Sequence, residues 1–429
     1  MYSDTTLIRQ EYGVYKETSA SIEVPRVRVP RTRTRLTHVI LTLTIVIATL
    51  FEVRSWQTTP RPYASAPTSC RVTQPPRATS SITSATALQA AVSSYNALEM
   101  CFGGPRGSFN GPYVGLAAAW PESQALTALL GLSVLGGTPA TLRSDIAQQM
   151  SVLSNYWDPK GGYFPIGRWY STGRGVKKYD DNAWLGLDLV DAYLITRNSV
   201  YLNQARAVAT FETTGWSTNT HFASPGGLYW QEPAYGKHRN AVSTGGAALL
   251  NARLYAITGL RIYRNRAEQY LRWTVSTLTL HNGLIGDQIS IGGVVNRKIW
   301  SYNQGLVIAT YTSLYRTTKN QSYLTAATLL AQRSLSYLTA RRRLEQQPEI
   351  FNAIYFRSMA NLNAVTRQLG YVHTLQSYAT YLYDRMVPST GVVHLGPMTT
   401  VATGWLLTQA AATQIFTLYA STAVRALNA

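Results

Sequence analysis

From about Ile82 to the C-terminus, apolar residues recur at intervals of three and four, and strand-type alternation is rare. Helical stretches of roughly 12 to 18 residues are separated by Gly, Pro, Asn and Asp, so the pattern predicts an almost all-α domain. The middle of the chain repeats. Tyr193, Thr196, Tyr201 and Ala205 have counterparts in Tyr255, Thr258, Tyr263 and Ala267, and again in Tyr315, Thr318, Tyr323 and Ala327. A fainter copy uses Leu135, Thr138, Leu142 and Ala147. Each unit of about 60 residues reads as a helix ending at the aromatic, a turn holding the Thr, and a second helix that packs its Ala closely. A helical hairpin cannot bury its apolar face alone. The units must therefore stack into a solenoid or close into a ring, and a domain of about 345 residues holds close to six of them. Six hairpins suit a closed double ring of inner and outer helices. The Tyr and Thr positions themselves speak for packing and turn chemistry.

The pattern breaks before residue 82. Residues 54–81 are rich in Pro, Ser, Thr and Arg and read as a flexible linker. Residues 1–53 form a basic leader with an apolar stretch from Val39 to Phe51, preceded by Arg26, Arg28, Arg31, Arg33 and Arg35. That arrangement is the logic of secretion and places the C-terminal bulk outside the cytoplasm. A stretch of about 13 residues is shorter than the roughly 20 a spanning helix needs, which fits a signal peptide. The leader is long and Pro67 follows the small-x-small Ala64-Ser65-Ala66, so the segment is either cleaved or kept as a membrane anchor. The domain reading is thus 1–53 leader, 54–81 linker and 82–429 catalytic domain.

With 45% hydrophobic residues among 429, the chain can bury a large core. Its net charge of +19 comes from scarce acids, since charged residues make up only 14% of it. No zinc-finger spacing, basic helix or RNA-binding aromatic signature accompanies that charge, which points to an anionic cell surface and away from nucleic acid. Cys70 and Cys101 are too few for a disulfide framework or a zinc site; they either form one bridge or stay as two thiols. The six His are dispersed, and no phosphate loop, nucleophile elbow or dinucleotide fingerprint occurs. Neither a metal nor a cofactor is expected.

Scarce acids make Tyr179-Asp180-Asp181-Asn182-Ala183-Trp184 stand out. It precedes a helix predicted from Leu185 to Tyr193, so the two Asp are expected at a helix N-terminus as a cap with a first-turn acid, or as chemistry. Two close carboxyls drive their pKa values apart, leaving one ionised and one protonated, the division of labour a glycosidase needs. Asp188 and Asp191, further along that helix, read as solvated or capping residues. Pro225-Gly226-Gly227-Leu228-Tyr229-Trp230, Arg239-Asn240-Ala241-Val242-Ser243, Gly286-Asp287-Gln288 and Trp300-Ser301-Tyr302-Asn303-Gln304-Gly305 fall between hairpins and have the composition of a sugar cleft. The expected catalytic residues are Asp180 and Asp181. The expected sugar contacts are Trp184, Trp230, Asn240, Asp287, Trp300, Tyr302, Asn303 and Gln304.

In order and spacing these motifs resemble glycoside hydrolase family 76, the α-1,6-mannanases, over roughly Tyr95 to Leu418. The resemblance implies an (α/α)6 barrel and retaining hydrolysis of α-1,6-mannosidic bonds in mannan-type polysaccharides, with Asp180 as nucleophile and Asp181 as acid/base. Arg239 and Thr244 depart from the Lys and Asn of the family pattern, which puts a substrate subsite in question. Two other outcomes are open at this level: a cell-wall transglycosidase using the same Asp pair, and a non-catalytic glycan-binding protein on the same scaffold. An epimerase on an (α/α) barrel would need paired His that the loops lack.

Overall fold

The structure is a computed structural model that describes residues 81–427, apart from 105–106, 111–116, 136–141, 166, 168–175, 233–237, 368 and 394–401. The leader 1–53, its apolar stretch, the linker up to residue 80 and Cys70 lie outside the described residues. Cys101, half-buried, is disulfide-bonded. Among the described residues no helix is long and apolar enough to cross a membrane.

The described residues form twelve α-helices. Six make an inner ring: α2 (Ala119–Ser133), α4 (Tyr179–Thr196), α6 (Ala241–Thr258), α8 (Ser301–Thr318), α10 (Glu349–Thr366) and α12 (Ala402–Leu427). Each packs on the next, and α12 packs back on α2. Around them lie α1 (Ser84–Phe102), α3 (Leu142–Leu153), α5 (Ser199–Glu212), α7 (Arg261–Leu278), α9 (Gln321–Thr339) and α11 (Val372–Tyr383). This is the closed double ring the repeat predicts. The sixth pair joins the two ends of the domain, because α1 lies along α12. Gln409 Nε2 donates to Ser94 O at 2.8 Å and Thr413 Oγ1 to Ser94 Oγ at 3.0 Å, bonds that close the circle.

Inner and outer helices differ in how they are buried. In α6 an almost unbroken run from Ala241 to Ala248 is inside, as expected of a helix covered on every side. In α7 the buried residues fall on one face: Tyr263, Ala267, Tyr270, Leu271, Trp273, Thr274 and Leu278. The repeated Ala205, Ala267 and Ala327 are fully buried. At the crossing of α4 and α6, a Cβ on Gly186 would lie 2.6 Å from Leu250 Cδ2, so that approach requires glycine.

The repeated Thr has a specific task. Thr196, Thr258 and Thr318 each donate through Oγ1 to the carbonyl four residues back, at 2.7 Å. Each also accepts the N–H two residues on, from Asn198, Leu260 or Asn320. The residue between is left-handed, with φ of 62° at Arg197, 70° at Gly259 and 58° at Lys319. Its N–H closes the helix on the carbonyl of the repeated Tyr at 2.8 Å.

A second repeat is visible only in three dimensions. The fourth residue of an inner helix latches the loop that precedes that helix. Glu122 accepts from Phe109 N at 3.3 Å, Asn182 from Tyr163 N at 2.6 Å, Thr244 from Leu228 N at 2.9 Å and Gln304 from Ile285 N at 2.8 Å. Asn352 donates to Leu344 O at 2.7 Å, and Gln409 of α12 takes the same part toward Val393. The loops at this end of the barrel also pair as short strands. β1 (Lys177–Lys178) joins β2 (Gln231–Glu232), while β3 (Arg239–Asn240), β4 (Gln288–Ile289) and β5 (Val295–Asn296) form a second sheet, all antiparallel.

Candidate active site

The site is built where β1 runs into α4. Lys177 is tied down by Asp158 at 2.7 Å and by Gly161 O at 2.8 Å, and Tyr179 N donates to Trp230 O at 2.9 Å. These tertiary bonds start α4 at Tyr179, six residues before the helix predicted from the sequence. Asp180 and Asp181 are therefore its second and third residues. The cap position is Lys178, whose side chain makes no capping bond, so neither aspartate is a cap. Both are partly accessible at the end of the barrel where the loops cluster.

Trp230 Nε1 donates to Asp180 Oδ2 at 3.1 Å, while Asp180 Oδ1 is buried with no hydrogen-bond partner. The ammonium of Lys178 lies 3.5 Å from the centre of the Trp230 ring and donates to Gln231 Oε1. Burial pushes the Asp180 carboxyl up to about 6, against the pull of the Trp230 bond, the Asp181 N–H and Lys178. Asp181 is pushed well above its usual range, first by burial and then by the charge of Asp180, and only Lys178 opposes this. The pair is thus asymmetric: the groups that favour a charge are gathered on Asp180, whereas burial and the neighbouring charge both favour a proton on Asp181.

Glu212, at the end of α5, is fully buried, and neither carboxyl oxygen has a hydrogen-bond partner. Burial, followed by the charge of Asp180, pushes it well above the usual range, which favours its protonated form. Its sequence context, Thr-Phe-Glu-Thr-Thr at a helix end, gave no signal.

The aromatic expectations converge on one cluster. Tyr302 stacks on Phe351 at 3.9 Å and on Trp184 at 6.4 Å, and Trp300 meets Phe351 edge-on at 5.3 Å. Trp120 joins from α2, 6.2 Å from Phe351. Trp120, Asp180 and Tyr302 are each the second residue of an inner helix; Asp181, Asn303 and Phe351 are each the third. Trp120 and Phe351 were not singled out from the sequence, although repeat position would have found them. Asp287 is half-buried and raised by burial, with Asn303, Trp300 and Lys298 opposing. Trp184 is buried and forms the floor. Trp230 alone of the expected sugar contacts is largely open, at 45% exposure.

Other expectations are corrected. Asn240 caps α6, its Oδ1 accepting from Ser243 N at 2.8 Å. Gln304 is fully buried and spends its amide on Ile285 N, Ile285 O and Trp300 O. Both hold the framework, because loop backbone at a barrel rim must find partners. Arg239 is fully buried and donates to four carbonyls, of Ser224, Gly226, Ala223 and Ser290, at 3.0 to 3.2 Å. Thr244 is the latch on Leu228. The two departures from the family pattern are therefore framework residues, not cleft contacts. Asp188, read as solvated or capping, is buried and accepts from Ser123 Oγ at 2.6 Å and Thr127 Oγ1 at 2.5 Å. Asp191 is paired with Arg253.

Comparison with known proteins agrees with this architecture. The chain is similar to the mannan endo-1,6-alpha-mannosidase DCW1 of Saccharomyces cerevisiae, 32% identical over 127 residues, which cover 28% of this chain and 28% of that protein. The chain thus spans well under two thirds of that curated relative. In fold it is similar to the GH76 alpha-mannanase BT2949 of Bacteroides thetaiotaomicron, with a TM-score of 0.69 and 20% identity over 81% of this chain and 98% of that one. It is likewise similar to an inactive variant of the alpha-1,6-mannanase GH76A of Salegentibacter sp. HEL1_6, solved with alpha-1,6-mannotriose, with a TM-score of 0.64, 20% identity and coverage of 78% and 99%. The profile of glycosyl hydrolase family 76 matches residues 81–387, the span that holds the aspartate pair and the loops that carry Trp230, Asp287 and Trp300, and the chain belongs to that family.

Proposed function

We propose that this protein is a retaining glycoside hydrolase acting on α-1,6-linked mannan, with Asp180 as nucleophile and Asp181 as acid/base. The observation that carries the proposal is the asymmetry of the pair. Trp230 and the Asp181 N–H stabilise charge on Asp180, whereas Asp181 lies buried beside that charge without such support. Asp180 attacks the anomeric carbon while Asp181 gives its proton to the departing glycosidic oxygen. Asp181, now ionised, then takes a proton from the water that releases the glycosyl-Asp180 intermediate. Trp230, open at the rim, offers an aromatic surface to a pyranose, and Asp287, half-buried, offers a polar partner for its hydroxyls, whereas Asn303 is fully buried. The substrate class follows from the relatives, whose names specify α-1,6-mannan or its oligosaccharides. An extracytoplasmic site of action, against such a wall polysaccharide, belongs to the same proposal and accords with the basic leader.

The test is to incubate the protein with linear α-1,6-mannan, with and without an acceptor oligosaccharide, and to analyse products by mass spectrometry. Free oligomannosides that disappear with Asp180→Asn and with Asp181→Asn are the expected result. Lengthened acceptors without free products would make the protein a transglycosidase. Wild-type turnover in either variant would overturn the residue assignment.

A further inference from the structure

The loops and the aspartate pair occupy the end of the barrel formed by the N-termini of the inner helices. The opposite end, formed by their C-terminal halves, encloses a second cavity of about 780 Å³. That lies within the range of roughly 300 to 1,000 Å³ typical of small-molecule sites. Trp184 is its ceiling and separates it from the catalytic end. Much of the wall is apolar, including Leu130, Leu187, Leu249 and Leu418, yet five ionisable side chains line it: Asp188, Asp191, Arg253, Arg316 and Arg357.

Their partners leave an imbalance. Asp191 is matched to Arg253 at 2.5 Å. Asp188 is served by two hydroxyls, and burial pushes its carboxyl up to about 7, so its negative charge is only partly present at neutral pH. Arg357 has five N–H donors. Its one hydrogen bond among the described residues is a long one, 3.4 Å to Gln414 Oε1. Arg316, exposed, adds a third cation to the lining and donates through one Nη to Asn361 O at 2.7 Å. The turns around this end carry Arg197, Arg261, Lys319 and Arg367, all exposed, and residues 196–202, 258–264, 318–324 and 366–371 contain no acid.

We propose that this cavity is a binding site for a small phosphate ester, its phosphate held by Arg357 and Arg316 and its organic body against the leucine walls. A desolvated guanidinium with unused donors is costly, and a phosphate supplies acceptors in the geometry an arginine fork matches. The site is separate from the glycosidase reading and stands or falls without it.

The test is calorimetric titration of the full chain at constant ionic strength. The probes are inorganic phosphate, glucose 6-phosphate and dihexanoyl phosphatidic acid, with glucose as the neutral control. Saturable binding of a phosphate compound, weakened about tenfold or more by Arg357→Met and by Arg316→Gln, is the expected result. Preference for glucose 6-phosphate would identify a soluble metabolite, and preference for the phosphatidic acid a lipid headgroup. If Arg357→Met does not fold, the exposed Arg316→Gln decides alone. No saturable binding of any phosphate probe, or binding unchanged in the folded variants, would overturn the proposal.

Discussion

The indole N–H of Trp230 is bonded to Asp180 Oδ2 at 3.1 Å, across 50 positions of sequence, and the ammonium of Lys178 lies over the same ring. One oxygen of the proposed nucleophile is thereby held, while the other, Oδ1, has no hydrogen-bond partner among the described residues. Because the bond favours the ionised form of a carboxyl that burial pushes up to about 6, Trp230→Phe is expected to shift the acidic limb of the kcat/KM profile upward. A hydrogen bond to a charged group is worth about 1.5–3 kcal/mol, so kcat/KM should fall by roughly 10- to 150-fold. A pH–rate series on an α-1,6-mannooligosaccharide checks both. An unmoved limb would mean that Trp230 serves the sugar alone.

The two aspartates can be told apart by an external nucleophile. With an aryl α-mannoside, whose leaving group needs little protonation, Asp181→Ala still forms the glycosyl-enzyme, and azide then releases it. The product should be the α-mannosyl azide. In Asp180→Ala azide must attack the substrate itself, which gives the β anomer. Proton NMR of the azide products reads the assignment directly. The reverse pattern would exchange the roles.

Glu122, the latch on Phe109, is fully buried and its carboxyl is pushed up to about 8 by burial. A carboxyl raised in the folded state stabilises below its unfolded pKa of about 4.3, and that stability is lost as pH climbs toward 8. Thermal stability should therefore fall from pH 5 to 8. In Glu122→Gln, which keeps an acceptor for Phe109 N and cannot ionise, the fall should be shallower. Calorimetric melting at several pH values makes the comparison, and parallel curves for the two proteins would remove Glu122 from the account.

Arg239 binds four carbonyls and lies over the rings of Phe222 and Trp273, at 5.2 and 5.9 Å. Lysine keeps the charge but not the fork. Arg239→Lys is expected to lower the unfolding free energy by about 2–4 kcal/mol, since buried carbonyls lose their donors. Urea unfolding gives the number. A change below about 0.5 kcal/mol, the scale of an ordinary surface substitution, would show that the loop does not depend on it.

Much of this protein was legible in its sequence because the relevant interactions are local or repeated. Tyr193, Thr196 and their counterparts mark hairpin turns since a threonine that bonds four residues back and two residues on does so within one turn of chain. The length of the domain divided by that period then set a ring of six. The aspartate pair stood out because acids are scarce and adjacent ones rarer. What tertiary structure alone decided concerns residues whose partners lie far away in the chain. Helix α4 begins at Tyr179 because β1 pairs with β2, some 50 residues on, and no helix signal marks that point. Gln304 and Asn240 have the composition of sugar ligands, yet buried loop backbone claims their side chains. Arg239 faces carbonyls from two loop segments, 223–226 and Ser290, that only the closed barrel brings together. Asp188 reads from the sequence as solvated or capping, and it is inside because a closed double ring leaves an inner helix no face toward water.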